Sequence, residues 1–155
     1  MYFWKIDSLA QDLKNGSLPQ SERFKYLLAT LIIYAVVIEL SVLFDEPTTI
    51  WHIVQSTFIV AITIAGTIYC YFVNRRGDNQ EFIDRFVCLG WVVSVRITLL
   101  FLAIYSLYLF AGYTLGGEAF EKFAETTNFV DVGFTLLMCG LCYWLIGRHI
   151  EKVAR

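Results

Sequence analysis

The sequence predicts an all-α membrane protein: four transmembrane helices in an antiparallel bundle, preceded by an amphipathic helix that lies on the membrane surface. Three observations predict this class. Of 155 residues, 57% are hydrophobic and 17% aromatic. The apolar residues come in runs long enough to cross a bilayer, which takes about 20 residues of helix. Strands of a closed barrel would instead need alternation with period two, and no such alternation is present.

Taken in order, the first element is the stretch before the first apolar run. It places Phe3, Ile6, Ala10 and Leu13 at helical spacing with Lys5, Asp7, Asp12 and Lys14 elsewhere around the turn. That pattern predicts an interfacial helix over residues 1–16, with Tyr2 and Trp4 at headgroup level. Asn15 and Gly16 can end it, and Ser17 with Gln20 is expected to form a capping box around Pro19. The crossings follow at about 26–44, 50–73, 91–113 and 129–147, all within a single membrane domain spanning 1–155. No small-residue cleavage pattern follows the first run, so it is expected to stay in the mature protein.

DEPTT is so short a connection that the first two crossings are expected to form a tight antiparallel hairpin. EFIDRFVCLGW is expected to continue as helix into the third crossing. The segment TLGGEAFEKFAETTN has a helical pattern of its own, with Phe120 and Phe123 spaced to dip into the interface.

Topology is read from Lys and Arg rather than from the net charge of −2. Lys5, Lys14, Arg23 and Lys25 precede the first crossing, Arg75, Arg76 and Arg85 flank the middle loop, and Arg148, Lys152 and Arg155 close the chain. Only Lys122 falls in the other two connections. This division places both termini and the middle loop in the cytoplasm. It leaves no basic stripe for nucleic acid, so the expected partners are the lipid bilayer and either a second copy or a larger membrane protein.

The pair Cys139 and Cys142, in MCGLCYW, has the i, i+3 spacing of a redox pair or of half a thiolate metal site. It lies about ten residues, roughly 15 Å, inside the outer boundary. Quinone-reducing disulfide-generating enzymes of the vitamin K epoxide reductase type also carry loop cysteines on the outer side, and this sequence has none there. Cys70 and Cys88 map to the reducing side, where disulfides rarely persist. Buried cysteine behaves as a small hydrophobe, so Gly66, Gly133, Cys139, Gly140 and Cys142 are the expected helix-packing positions, and no cofactor or metal is implied.

The polar residues expected to matter are Glu39 and Arg96 inside the spans, Gln55, and Asp131 at the outer mouth of the last crossing, because intramembrane polar groups are costly. Glu39 and Gln55 lie eight residues either side of Pro47, so they are expected to share a level. Arg96 lies deeper on the other side, about 15 Å from Glu39 along the bundle. His52 and His149 fall at opposite faces.

WKIDSL, ERFKYLL, GTIYCYFVN, GWVVSVR and YWLIGRHIEKVA together resemble a group of small bacterial membrane proteins of similar length. The resemblance implies a four-helix protein of the inner membrane and no activity. The carboxylate in the first crossing is also similar to one in small multidrug-resistance transporters. This chain departs from them in its length, its acidic outer segment and its N-terminal helix, so their proton-coupling site is not carried over. The function expected from these residues is a non-enzymatic membrane component that associates with itself or a partner. The alternatives are a small transporter or channel using Glu39 and Arg96, and third a quinone-linked thiol oxidoreductase using Cys139 and Cys142.

Overall fold

The computed structural model describes residues 5–43, 49–124 and 126–155, with side chains for all of these except 38–43, 119 and 121. Five helices follow in chain order: α1 (Ile6–Lys14), α2 (Gln20–Leu43), α3 (Ile50–Arg76), α4 (Phe82–Ala124) and α5 (Phe129–Ala154). Among the described residues there is no strand. Three of the helical segments, Ile50–Arg76, Phe82–Glu118 and Phe129–Ala154, are long and apolar enough to cross a membrane.

Helix α1 ends as its residues dictate. Gly16 takes a left-handed φ of 63°, which lets Ser17 N–H reach back to the Asp12 carbonyl at 2.9 Å and Gly16 N–H to Leu13 at 3.3 Å. The same reversal redirects Ser17: its hydroxyl bonds the Asp12 carbonyl and carboxylate, both at 3.2 Å. It therefore does not cap α2. Instead the Pro19 carbonyl accepts from Glu22 and Arg23 N–H at the start of α2.

The apolar face of α1 is covered by protein. Ile6, Leu9, Ala10 and Leu13 are all buried against α4 and α5, and Leu9 is wholly inaccessible. The core continues from there through Leu18, Tyr26, Cys70, Cys88, Leu89, Val92, Ile146, Ile150 and Val153. These positions lie at the start of α2 and α4 and at the end of α3 and α5. The buried core is thus densest at one end of the molecule, called here the α1 end, and runs on along α4 through Ile97 to Phe101.

The pairing of the long helices departs from a hairpin of chain neighbours. Among the described residues α2 touches α4 and makes no contact with α3, whereas α3 packs chiefly on α5. The α3–α5 pair is parallel: Gln55 meets Thr135, Cys70 meets Tyr143, and Asp78 N–H meets the Ala154 carbonyl at 3.0 Å. The α4–α5 pair is antiparallel, with Phe101 on Phe134 and Gly90 beside Ile146. Small residues explain the choice of partner. A Cβ on Gly66 would come within 2.3 Å of the Tyr143 ring, and one on Gly147 within 2.3 Å of the Tyr69 ring, so each glycine on one helix seats a tyrosine from the other. The connection 44–48 lies outside the described residues.

Helix α4 begins at Phe82, well before the apolar run, and breaks at Gly117, whose φ of 54° and ψ of −147° are not helical. Beyond the break the chain turns back on itself. Phe120 packs against Tyr108 and Tyr113, with ring centroids 5.6 and 5.4 Å apart, and Phe123 packs against Phe129 at 5.8 Å. The two phenylalanines expected to face the membrane interface thus also pack against other rings of the chain and stay partly exposed.

Candidate functional site

At the α1 end a polar network closes the structure. Arg85, with only 3% of its side chain exposed, donates to both Asp78 oxygens at 2.5 and 2.6 Å and to Asn74 Oδ1 at 3.0 Å. Asn74 is wholly buried and donates in turn to the Gln80 carbonyl at 3.2 Å. This bidentate geometry is the strong form of carboxylate recognition. The Arg85 guanidinium beside Asp78 holds its carboxyl below the usual carboxylate range. Arg23 ties a second layer to the first, at 2.6 Å from Asp84, 3.1 Å from Glu81 and 3.1 Å from the Leu18 carbonyl. Asn79 and Glu81 take left-handed φ values of 55° and 45°, a cost of order 1–3 kcal/mol each that surrounding structure must over-determine. The network and the Asp78–Ala154 bond supply that constraint.

At the opposite end, α4 and α5 enclose a groove of about 250 Å³. Thr98, Phe101, Leu102 and Tyr105 line it from α4, and Asp131, Phe134, Thr135 and Met138 from α5. Each set follows the i, i+3, i+4, i+7 spacing of one helix face. Asn128 caps α5 in a reciprocal box: its side chain accepts from Val130 and Asp131 N–H, and Asp131 Oδ2 accepts from Asn128 N–H at 3.0 Å. Tyr105 donates its hydroxyl to Asp131 Oδ1 at 2.8 Å. Asp131 is thereby held with both oxygens accepting at the mouth of an aromatic groove.

The residues singled out in the sequence distribute as follows. Glu39 lies on α2, and its side chain is outside the described residues. Gln55 gives its amide to Thr135 Oγ1 at 3.1 Å, a bond between α3 and α5. Arg96 is half-buried on α4, within electrostatic reach of His149 at the α1 end. His52 lies at the other end of the molecule, in the first turn of α3. Gly66 seats Tyr143, whereas Gly133 and Gly140 face open space outside the chain.

All four cysteines are free. Cys70 and Cys88 are wholly buried, and the Cys70 thiol donates to the Tyr143 carbonyl at 3.6 Å. Cys139 and Cys142 are half-buried on α5, where Cys142 packs against the core. Among the described residues no three His, Cys, Asp or Glu side chains are grouped as metal ligands would be. Tyr105, Phe101, Phe134 and Met138 were not singled out by sequence reasoning. The signal was there in the matched helical spacing on two segments, but nothing in the sequence says that those two faces meet.

The fold defines an all-helical protein with three helices of membrane-crossing length and composition. Against known protein families, curated proteins and solved structures, the chain matches none.

Proposed function

We propose that the chain is a multi-pass inner-membrane protein of bacterial type with four crossings, α2 to α5, and both termini in the cytoplasm. In this reading it is a non-enzymatic membrane component that associates along α2 with a second copy. One observation carries the reading. Every residue from 31 to 37 is exposed, with Leu31, Ile32, Tyr34, Val36 and Val37 each more than half accessible. Seven consecutive positions cover the full circumference of the helix, so nearly two turns of apolar surface face outward on all sides. Water cannot be the solvent of such a surface. A bilayer covers it, and the helix, held by α4 alone among the described elements, has a free flank for a neighbour.

The basic residues support the orientation. Arg75, Arg76, Arg85, Arg148, Lys152 and Arg155 gather at the α1 end with Arg23 and Lys25, as expected of the cytoplasmic side. In this orientation α1 lies beneath the bundle as a cytoplasmic brace, its polar face toward water and headgroups. Apolar burial is needed where the protein meets water, and lipid replaces much of it at mid-membrane, which accounts for a core that is densest at one end.

The intact assembly should be weighed by native mass spectrometry from mild detergent and from lipid nanodiscs. More than one copy is expected. A monomer in both environments would overturn the association along α2. A reporter active only outside the cytoplasm, fused after Arg155, should stay silent, and a strong signal would reverse the orientation.

A further inference from the structure

We propose that the groove between α4 and α5 binds an organic monocation made of one aromatic ring and a small ammonium group. The ammonium would sit at Asp131 and the ring against the wall that Phe101 and Phe134 form together. The site lies within a single chain, so its test does not depend on how the chain associates.

Three features point to this ligand chemistry. The first is charge. Asp131 is half-buried, and its carboxylate is oriented by two donors, the Tyr105 hydroxyl at 2.8 Å and Asn128 N–H at 3.0 Å. Among the described residues neither Lys nor Arg pairs with it. Each oxygen keeps further accepting capacity, so a carboxylate held by neutral donors beside apolar surface favours a cation as its remaining neighbour.

The second is the aromatic wall. Phe134 lies one helical turn from Asp131 and contacts both Tyr105, at 5.6 Å between centroids, and Phe101, edge-on at 5.2 Å. Aromatic faces beside a carboxylate are the surroundings that attract alkylammonium groups and discriminate against anions.

The third is size. A closed apolar cavity of about 150 Å³ accommodates benzene, and the groove, at about 250 Å³, has room for a ring with a short charged substituent. Thr98 and Thr135 add hydroxyls to the lining, but Thr135 already accepts from Gln55. Asp131 is left as the dominant polar anchor.

The test uses the full chain in nonionic micelles, with empty micelles as the blank, and saturation-transfer NMR as the readout. The probes are benzylammonium, neutral benzyl alcohol and anionic phenylacetate, which share the ring and differ in charge. The cation is expected to bind more tightly than the alcohol by about tenfold, the discrimination that one charge-assisted contact provides, and phenylacetate is expected not to bind. Asp131→Asn, which keeps an oxygen for the cap, should bring the cation down to the level of the alcohol. Met138→Trp, which fills the groove away from the carboxylate, should weaken both. Equal binding of cation and alcohol would mark the groove as an apolar cleft for a lipid chain and overturn the proposal. So would cation binding that survives Asp131→Asn, or no binding to the parent protein. If Asp131→Asn fails to fold, the ranking of the three probes on the parent protein and the effect of Met138→Trp still decide the question.

Discussion

Replacing Asp78 by Asn probes how much the loop between α3 and α4 depends on a single ion pair. The parent carboxylate receives two charge-assisted hydrogen bonds, at 2.5 and 2.6 Å, from a guanidinium that is only 3% exposed. Removing one partner of a fully buried pair costs about 3–5 kcal/mol, because the remaining charge is stranded, while an exposed pair contributes about 0–1 kcal/mol. Here Arg85 is buried and Asp78 is 34% exposed, so water screens one side. Arg85 also keeps its bond to Asn74. The expected loss for Asp78→Asn is therefore intermediate, about 2 kcal/mol, or roughly thirtyfold in the folded-to-unfolded ratio. Denaturant unfolding in mild detergent, followed by tryptophan emission, measures it. Combining the change with Arg85→Met should recover much of the loss, since no charge is then left buried. A loss below about 0.5 kcal/mol, or a double variant no better than Asp78→Asn, would refute the claim that Arg85 needs this carboxylate. The pH dependence follows with a defined sign. Arg85 depresses the folded-state pKa of Asp78, so the stabilisation is complete above the unfolded value of about 3.9 and is lost as pH falls through the folded value. The parent protein should weaken in acid more steeply than Asp78→Asn.

Two further substitutions test how the helices are held. Leu9→Ala removes a wholly buried side chain from α1 and should cost about 2–4 kcal/mol of unfolding free energy; no measurable cost would mean that α1 does not belong to the core. Gly66→Val should destabilise the α3–α5 pair by about 1–3 kcal/mol or more, because its Cβ would overlap the Tyr143 ring. Gly140→Ala, which meets open space, should lose nothing and should gain a few tenths of a kcal/mol from helix propensity. Equal effects at the two glycines, read by thermal unfolding, would refute this assignment of the close approach.

Composition and periodicity alone determined that the chain is helical and that it carries membrane-length apolar segments. Both are local properties, since an apolar run and a 3.6-residue period depend on no distant contact. The stop at Gly16 was equally legible, and the cap of α5 at Asn128, which the sequence reading passed over, is a signal of the same local kind, because caps are made by residues within a turn of the helix end. What only the tertiary structure decided is which faces meet. Apolar helices in a bilayer gain little by burying one another in preference to lipid, so pairing depends on shape and hydrogen bonds between segments far apart in sequence. Gly66 selects Tyr143 and Gln55 selects Thr135 across some eighty positions, and these contacts join α3 to α5 rather than to its chain neighbour. The same dependence hid the groove. Asp131 was visible as an intramembrane carboxylate, but the Tyr105 hydroxyl that orients it and the rings beside it became its neighbours only when the breadth of α4 and α5 came together in antiparallel register.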